Sequence, residues 1–409
     1  MLGPILGPLA AVYRRVWISK SHVVVVIGSF GKTTTAHTLA HALDCVQASL
    51  VDYNIQALVA LRLFRLRRGT PTAVIEVGIS TPGQMKAFAH MTRPDVVVVT
   101  SIGEEHSENL GSIENIRAEK AAMVEALGLK GLAIFNGDDP NVMWMKSRTT
   151  ARAITCGRGE DNIVRASSVE LTYPPGTSLN VSSGATEFHL NVRLSGYSAV
   201  FPILAAVALA QERGISTKTL IERLESIESY PRRMQRVALP NGAWGIVDDR
   251  KALPETVFAA LGALKGTPAK RKWGVVGDIG SVKEADEESH YRAYGLNLGG
   301  TCDELILMTN DRRKQAWLAE AAQQAGLGSE HILKADRNLQ FAVGYLRQHL
   351  REGDLVLFKG RFHERLSRIA LALGGREVTC QLPSCDVRAL ECHRCSLLTS
   401  GSKSDGVLG

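Results

Sequence analysis

Residues 22–35, HVVVVIGSFGKTTT, decide the fold of this chain. The run Val23–Ile27 is apolar and β-branched, so it predicts a buried strand, which a glycine-bounded turn and a helical stretch follow. Such a strand, turn and helix directs backbone N–H groups at polyphosphate, with Lys32 as a point charge and the Thr33 hydroxyl as a ligand for Mg²⁺. The general phosphate-loop pattern has a further glycine where this chain has Val26, so a plain strand–turn–helix is the alternative.

Further motifs follow this loop in a fixed order. The segment Thr72–Val77 predicts a second buried strand with a carboxylate near its end, and Val96–Val99 predicts a third strand that a polar loop follows. A helical stretch and a strand over Gly131–Phe135 come next. The polar segments are Glu76-Val77-Gly78, Thr100-Ser101-Ile102-Gly103-Glu104-Glu105-His106, Gly111 to Lys120, and Asn136-Gly137-Asp138-Asp139-Pro140.

This series resembles the Mur ligase family of ATP-dependent, amide-forming ligases. The family uses the shortened loop Gly-x-x-Gly-Lys-Thr-Thr, followed by Glu-x-Gly, Thr-Asn-Ile-Gly-x-x-His and Asn-x-Asp-Asp-Pro elements. Ser101 stands where the family usually has Asn. The resemblance covers about residues 20–375 and is strongest in pattern to the MurF-like ligases that add D-alanyl-D-alanine.

The second half of the chain keeps the family's order. One segment resembles a Gly-Arg-Met-Glu/Gln hinge, with Arg232 where Gly is common, and the next resembles a strand end with paired aspartates and a downstream proline. Two more resemble the Leu-Gly-Asp…His and Gly-Asp-x-Val-Leu-x-Lys-Gly elements of the D-alanyl-D-alanine-adding ligases. The segments are Pro231–Gln235, Ile246–Pro254, Val275–Asp278 with His290, and Asp354–Arg361.

The resemblance implies roles for individual residues. Thr33, Glu76 and His106 would hold Mg²⁺ ions, and Lys120 is the candidate for carbamylation by CO₂, which requires its neutral form. Outside this series, His106, Lys120 and the arginines of the hinge would be interpreted as structural or surface residues. The implied catalytic set is Lys32, Glu76, His106, Lys120, Arg233 and Lys251. The implied nucleotide-binding set is Gly28, Ser29, Phe30, Gly31, Lys32, Thr33, Thr34, Asn136, Asp139 and Asp249.

Composition agrees with a large globular enzyme. A length of 409 residues suggests two or three domains, and 45% hydrophobic with 22% charged residues is ordinary. Helical stretches that alternate with the strands predict an α/β fold with parallel sheets, here a P-loop Mur-ligase-type ATPase domain followed by a Rossmann-like C-terminal domain. The helical stretches are Thr33–Leu43, Ile113–Leu127, Val200–Arg213 and Ser216–Ile227. The expected domains are 1–20, an apolar and basic helix; 21–232, the central ATP-binding domain; 233–375, the Rossmann-like domain; and 376–409, a cysteine-containing tail.

The amino-terminal region departs from the family. The muramyl-peptide ligases have a separate domain there for the uridine-diphosphate end of their substrate, and here the phosphate loop begins too early for one. Met1–Tyr13 is apolar but short, and Arg14 and Arg15 follow it, a pattern typical of neither a secretory signal nor a membrane span. We expect a helix packed on the ATPase domain and no membrane contact, with contact to a membrane surface as the alternative.

The acceptor-binding elements depart as well. Asn54–Leu58 and Gly196–Val200 replace the family's substrate loop and its Gly-x-His-Asn element. A basic cluster either holds an anionic acceptor or is a solvated helix end; its members are Arg62, Arg65, Arg67 and Arg68. The net charge of +7 permits anionic partners, but the basic residues are dispersed and no nucleic-acid-binding module is recognised, so we do not expect nucleic acid as a partner.

The carboxyl-terminal tail holds four of the seven cysteines, Cys380, Cys385, Cys392 and Cys395. The last two have the Cys-x-x-Cys spacing of one side of a zinc knuckle. Three hypotheses remain open: a structural Zn²⁺ site, thiol or disulfide chemistry, and unpaired tail cysteines. The other three cysteines lie in apolar or strand-edge contexts, which favours a reduced, cytoplasmic protein.

The sequence therefore predicts an ATP-dependent carboxylate–amine ligase that acts through an acyl phosphate on a non-standard acceptor. ATP and Mg²⁺ are the expected cofactors, and a small carboxylate and an amine or amino acid are the expected substrates, the amine near Asp278 and His290. One alternative is an amidotransferase-coupled subunit whose cysteine tail docks a protein partner. Another is a P-loop ATPase or kinase, which would not need Lys120.

Overall fold

The computed structural model of this chain describes residues 3–47, 56–105, 107–280, 282–387 and 391–400. The chain divides into two compact units. The first consists of Met1–Val169, Ser178–Val192 and Ser198–Ile227, and the second of Glu170–Thr177, Arg193–Tyr197 and Glu228–Gly409.

A nine-stranded sheet and its covering helices make up most of the first unit. The strands are β1 (His22–Ile27), β2 (Val46–Gln47), β3 (Thr72–Glu76), β4 (Val96–Val99), β5 (Leu132–Asn136), β6 (Arg152–Gly157), β7 (Val164–Thr172), β8 (Gly176–Ser183) and β9 (Thr186–Val192). The helices are α1 (Gly3–Val16), α2 (Lys32–Leu43), α3 (Gln56–Phe64), α4 (Gln84–Thr92), α5 (Ser107–Leu110), α6 (Ile113–Glu125), α7 (Pro140–Trp144), α8 (Val200–Glu212) and α9 (Thr217–Ser226). The strand order is β2-β3-β1-β4-β5-β6-β7-β8-β9, and every neighbouring pair from β2 to β7 is parallel.

The central strands are apolar on both faces because the parallel part of the sheet is buried on both faces. In β1, Val23–Ile27 are at most 1% exposed, and all four valines of β4 are buried. Strand β1 lies between β3 and β4. The connection that leaves β1 leads to β2 on one side of β1, and the connection that leaves β3 leads to β4 on the other side. This topology opens a crevice at the carboxyl ends of these three strands, where α/β proteins bind ligands.

Helix α1 packs on α3 and α4 through one face. The Tyr13 hydroxyl donates to the Leu66 carbonyl at 2.7 Å, and the buried Arg14 donates to the Asp95 carboxylate at 2.8 Å and to the Thr92 carbonyl at 3.0 Å. The Asp95 carboxylate also accepts from the Val23 N–H, so this ion pair ties α1 to the start of β1. The orientation of α1 about its own axis is therefore fixed.

A six-stranded sheet forms the centre of the second unit. Its strands are β10 (Gln235–Ala238), β11 (Trp244–Asp248), β12 (Arg271–Val276), β13 (Glu304–Leu307), β14 (Ile332–Lys334) and β15 (Asp354–Lys359). Its helices are α10 (Pro254–Gly266), α11 (Glu287–Gly299), α12 (Arg312–Gln324), α13 (Leu339–His349), α14 (Ser367–Leu373) and α15 (Leu397–Ser400). The order is β10-β11-β15-β12-β13-β14, and only the pair β10–β11 is antiparallel.

The described part of the carboxyl-terminal tail packs against the second unit. The buried Arg368 guanidinium donates to the carbonyls of Cys380 and Leu382 at 3.3 and 2.7 Å. The Thr379 N–H donates to the Leu398 carbonyl at 2.8 Å, and the Leu398 side chain lies in the hydrophobic core. The folded unit therefore continues well beyond α14.

The predicted α/β class with parallel sheets is confirmed. All four helical stretches form helices within two residues of the expected ends, as α2, α6, α8 and α9, because their apolar positions recur at helical spacing. Among the residues that the structure describes, no helix is long and apolar enough to cross a membrane.

Replacing Gly295 with Ala should destabilise the second unit. Gly295 lies in α11 where it packs on α12, and an added Cβ would lie 2.6 Å from the Leu318 carbonyl oxygen. Overpacking of this kind costs about 1–3 kcal/mol of unfolding free energy.

Gly262→Ala in α10 is the matched control, since nothing lies within 4 Å of its added Cβ. The higher helix propensity of Ala should there raise the unfolding free energy by up to about 1 kcal/mol. Chemical denaturation followed by circular dichroism measures both changes. A Gly295→Ala variant as stable as the unmodified chain would contradict the close packing of α11 and α12.

Candidate functional site

Two glycines give the phosphate loop its shape. Gly28 has φ 143°, and a Cβ at this position would lie 2.0 Å from Thr100 Oγ1, so a side chain would displace the loop from the segment after β4. Gly31 has φ 80° and precedes the first turn of α2. The free N–H groups at the start of this twelve-residue helix face the loop, an arrangement that favours anions.

Lys32 is buried and makes three contacts at the loop. Its ammonium group donates to the carbonyls of Gly28 and Ser29, both at 2.8 Å, and lies 3.3 Å from the Glu105 carboxylate. The side chains of Lys32 and Glu105 are only 8% and 7% exposed. Burial makes such a charge costly unless it is paired, so Glu105 supplies the counter-charge here.

The predicted magnesium ligands Thr33 and Glu76 lie next to each other. The Thr33 hydroxyl donates to the Glu76 carboxylate at 2.8 Å, because α2 begins beside the carboxyl end of β3. The buried Arg62 donates to the Glu76 carbonyl at 2.9 Å, so this member of the basic cluster supports the site from inside. A hydroxyl and a carboxylate oxygen are the ligand types that Mg²⁺ prefers.

Lys120 reaches the phosphate loop from helix α6. Its ammonium group donates to the Ser29 hydroxyl at 2.9 Å, and the residue is 1% exposed. The same hydroxyl is 2.9 Å from the Gly103 N–H, which donates to it. Ser112 caps the start of α6 by accepting from the Asn115 N–H. The structure thus brings the predicted residues Ser29, Lys32 and Lys120 together at one edge of the sheet.

The loop after β4 holds the phosphate loop in place. The Ser101 hydroxyl accepts from the Phe30 N–H at 2.9 Å, so the residue that replaces the family's Asn still binds the loop. Asn136 donates to the Thr100 carbonyl at 2.8 Å, and Asp139 accepts from the Ile102 N–H at 2.9 Å.

Through these bonds, the predicted nucleotide-binding residues Asn136 and Asp139 support the backbone of the loop after β4. Asp139 also caps α7 by accepting from the N–H groups of Asn141 and Val142. Both side chains therefore hold backbone in place next to the loop after β4. The predicted metal ligand His106 lies outside the described residues, and its role stays a prediction.

In the second unit, Arg232 is buried in the left-handed region with φ 62°. This conformation explains why a Gly is common at the position. The guanidinium donates to the Asp249 carboxylate at 2.7 Å and to the Asp249 carbonyl at 2.7 Å, and it lies over the Phe362 ring. The Glu391 carboxylate is 3.7 Å away.

This packing does not favour the predicted nucleotide contact of Asp249. The residue is 0% exposed, and its second carboxylate oxygen accepts from the Ser367 N–H at 2.8 Å. Both oxygens are therefore committed to partners inside the unit. The sequence pattern located the aspartate correctly at the strand end but could not indicate that a buried arginine would pair with it.

Lysine and arginine side chains meet at the carboxyl ends of β11 and β15. The buried Lys359 ammonium donates to the Asp248 carboxylate and, at 2.7 Å, to the Lys251 carbonyl. Burial lowers the pKa of Lys359 and the Arg233 charge lowers it further, while the Asp248 carboxylate opposes the shift. The buried Nε of Arg233 has no hydrogen-bond partner among the described residues. Arg233 and Lys251 thus lie close to one buried ion pair.

An acidic pair lies at the end of β12. The Asp278 carboxylate pairs with the Arg337 guanidinium at 2.6 Å. The backbone N–H of Asp278 donates to the buried Glu364 carboxylate at 3.0 Å. The Tyr291 hydroxyl lies 3.4 Å from Asp278 Oδ1. Burial, and next the Asp278 carboxylate, raise the pKa of Glu364 to about 7. His290 is half-buried in α11.

Glu364 and Arg337 were not predicted from the sequence, and neither was Glu105. Glu364 stands four residues after the Lys359-Gly360 element, and no spacing marks it as a partner of Asp278. The one available signal for Glu105 was its place directly before His106 in the loop after β4.

The tail cysteines are not gathered into a metal-binding group among the described residues. Within the described residues, which include all four of them, no three His, Cys, Asp or Glu side chains gather in a way that could hold a metal. The Cys380 sulfur lies 3.3 Å from the buried Arg368 guanidinium, and Cys392 packs against the hydrophobic core. These contacts favour a packing role for the two cysteines, which sequence spacing alone could not indicate.

Removal of metal ions should therefore leave the stability of the second unit unchanged. We expect the same Tm for the purified chain with and without an excess of EDTA, and no zinc in stoichiometric amount by atomic absorption. Stoichiometric zinc together with a lower Tm after chelation would restore the zinc hypothesis.

Glu364 should make the stability of the second unit depend on pH. The carboxyl ionises at about 4.3 in an unfolded chain, and the folded unit raises this pKa to about 7. The protonated Glu364 carboxyl group thus contributes its full stabilisation below about pH 4.3, and this contribution is lost as the pH rises through about 7.

The variant Glu364→Gln tests this linkage. The loss of unfolding free energy between about pH 5 and pH 8 should be smaller in Glu364→Gln than in the unmodified chain. Glu352→Gln, at an exposed carboxylate of the same unit, is the matched control and should keep the full loss. Denaturation curves at several pH values measure the difference, and parallel pH profiles for all three proteins would contradict the assignment.

Proteins of known family resemble this chain across both units. The Mur ligase middle domain matches residues 26–210, and the glutamate ligase domain of the Mur ligases matches residues 232–362. The UDP-N-acetylmuramoyl-tripeptide--D-alanyl-D-alanine ligase of Mycobacterium leprae is 28% identical over 383 residues, covering 86% of this chain and 73% of that protein. The Bacillus subtilis ligase of the same name is 24% identical over 356 residues, covering 85% of this chain and 75% of that protein.

Solved structures share the fold. MurF from Acinetobacter baumannii matches with a TM-score of 0.76 and 22% identity over 91% of this chain and 81% of that one. The MurF ligase from Thermotoga maritima in complex with ADP also has a TM-score of 0.76 and 22% identity, over 91% of this chain and 83% of that one. Two family domains in the expected order, and a motif series that agrees with them, lead to one conclusion. The chain belongs to the Mur ligase family of ATP-dependent, amide-forming ligases.

Proposed function

We propose that this chain joins a carboxylate to an amine at the expense of ATP, through an acyl phosphate, and that its acceptor differs from those of its MurF-like relatives. The observation that carries the proposal is the convergence of two buried lysines on Ser29: Lys32 on its carbonyl and Lys120 on its hydroxyl. A phosphate loop needs one lysine for the phosphates. A second buried lysine at the same loop goes beyond that need, and we assign it to the ligase reaction.

The residues of the loop fit a nucleoside triphosphate. Any side chain at Gly28 would collide with Thr100, so backbone N–H groups can approach the phosphates closely, and Lys32 adds a positive charge. On nucleotide binding, the Lys32 ammonium would exchange Glu105 for phosphate oxygens. Thr33 and Glu76 would hold Mg²⁺, which spreads and neutralises phosphate charge when bound. The role of the chain itself is positioning and charge stabilisation.

Lys120 is the candidate for carbamylation. It is almost fully buried and reaches the same loop residue as Lys32, and only its neutral form reacts with CO₂. The resulting carbamate would be an anion at the phosphate loop, and its oxygen atoms would be of the type that Mg²⁺ prefers. Ser29 holds the nitrogen of Lys120 in position in the present arrangement.

The second unit would supply the amine and further positive charge. Arg233 and Lys251 are our candidates for stabilising the transferring phosphoryl group. The Asp278 carboxylate would hold the ammonium group of the incoming amine, and the Arg337 guanidinium beside it would suit a carboxylate of an amino acid or dipeptide. The curated relatives are named for adding D-alanyl-D-alanine to a UDP-linked muramyl tripeptide. The altered Gly196–Val200 element and the altered segment around Asn54 support a different acceptor.

Release of ADP and phosphate against a matrix of carboxylates and amines, with bicarbonate added, tests the proposal. Turnover should require both substrates, and Lys120→Ala should lower it about 100-fold or more, as expected for loss of an electrostatic group at a phosphoryl-transfer site. Lys130→Ala, at an exposed lysine that follows α6, is the matched control and should keep full activity.

Other outcomes would overturn the proposal. ATP turnover that ignores the amine and survives Lys120→Ala would indicate a P-loop ATPase or kinase. Turnover that appears only with glutamine and a second protein would indicate an amidotransferase-coupled subunit. Amide formation with D-alanyl-D-alanine on the UDP-linked muramyl tripeptide at full rate would refute the non-standard acceptor and keep the ligase.

A further inference from the structure

Helix α1 has a continuous apolar stripe that faces away from the first unit. Ile5, Leu9, Val12 and Val16 are 63, 55, 58 and 70% exposed, and Trp17 directly after the helix is 52% exposed. The spacing of four, three and four residues places the four aliphatic side chains on one side of the helix. Scattered exposed apolar residues are common in proteins, but a full stripe along one helix marks an interaction surface.

The opposite face of α1 cannot exchange places with this stripe. Ala10, Ala11 and Arg14 are buried there, and Arg14 is held by the Asp95 carboxylate and by backbone carbonyls. Near the start of the helix, Gly7 lies so close to the Gln56 side chain that a Cβ would come within 2.5 Å of it. The helix is thus docked in one orientation, and the described residues leave the stripe exposed.

The charge in the segments that pack around the stripe is mostly positive. Helix α1 packs on α3 and α4, and the segments 3–21, 56–71 and 84–95 that contain these helices hold nine Lys and Arg but a single acidic residue. That residue, Asp95, is already paired with Arg14. Seven of the nine basic residues are exposed: Arg15, Lys20, Arg65, Arg67, Arg68, Lys86 and Arg93.

These basic residues lie beside the helix. A groove at the carboxyl end of α1 is lined by Arg15 together with Lys86 and Arg93 of the α4 region. The carboxylates of Asp95 and Glu125 also line it, and each is paired with an arginine, Asp95 with Arg14 and Glu125 with Arg148. On the other side, the segment with Arg67 and Arg68 follows Leu66, whose carbonyl accepts from the Tyr13 hydroxyl of α1. Exposed basic residues thus lie on both sides of the apolar stripe.

We infer that this face binds the surface of an anionic membrane, with the apolar stripe of α1 inserted among the lipids and the basic residues on the headgroups. Interfacial helices combine an apolar face with Lys and Arg beside it, and Trp is favoured at the boundary between lipid and water. A second copy of the chain is a poorer occupant, because a symmetric interface would bring the two basic surfaces together. The inference differs from our expectation from the sequence, which could not show that the stripe stays exposed.

Co-sedimentation of the full chain with lipid vesicles tests the inference. The chain should bind vesicles of phosphatidylglycerol and phosphatidylcholine, and high salt should weaken this binding. Binding to vesicles of phosphatidylcholine alone should be at least about tenfold weaker. Leu9→Glu combined with Val12→Glu should lower the partition coefficient at least about tenfold, since charge replaces inserted apolar side chains. Leu129→Glu, at a residue 81% exposed outside the stripe, is the matched control and should bind like the unmodified chain.

Three results would overturn the inference: no binding to the anionic vesicles, unchanged binding of the double variant, or equal loss in Leu129→Glu. A dimer that the double variant abolishes, without vesicle binding, would assign the stripe to a second copy instead. Thermal unfolding should show the double variant folded, because both positions are exposed. ATP turnover in solution is a separate readout, so failure here leaves the proposed ligase activity untouched.

Discussion

The hydroxyl of Ser29 is the contact on which the candidate site depends. It lies between the Lys120 ammonium, the Gly103 backbone and the phosphate loop, and so joins a helix, a loop and the turn after β1. A buried lysine must keep polar partners, because an unpaired ammonium inside a protein is strongly disfavoured. Ser29 meets part of that need without adding a negative charge. The loop therefore holds Lys32 and Lys120 close together, the first on the Ser29 carbonyl and the second on the Ser29 hydroxyl.

The second unit uses buried charge differently. Arg232, Lys359 and Glu364 are each enclosed, and each has an oppositely charged partner within 4 Å: Asp249, Asp248 and Arg337. Removing one partner of such a pair lowers the unfolding free energy strongly, whereas the intact pair adds little net stability. These pairs are better understood as devices that fix the ends of β11, β12 and β15 relative to each other. The residues we assign to phosphate and amine lie beside these fixed ends.

The sequence predicted the sheets well because their signal is local. Runs such as Val23–Ile27 and Val96–Val99 have no polar position, which a strand buried on both faces requires, and motif order then located the loops between them. The sequence is less informative where burial bears on the role of a residue. Nothing in the chain around Asp249 indicates that a buried arginine would occupy its carboxylate, and cysteine spacing could not reveal that Cys380 would pack on Arg368. Glu364 was missed since its partner Asp278 is 86 residues away.

The carboxyl-terminal tail also bears on where the second unit ends. Glu391 lies within 4.0 Å of three buried or nearly buried guanidinium groups, those of Arg232, Arg250 and Arg365. The family match ends at residue 362, and the recognisable motifs end near residue 375. A boundary drawn from homology would thus cut away the carboxylate that these arginines share. The tail beyond the family match thus supplies a carboxylate to the packed interior of the second unit, and the limit of the match is not the limit of that compact unit.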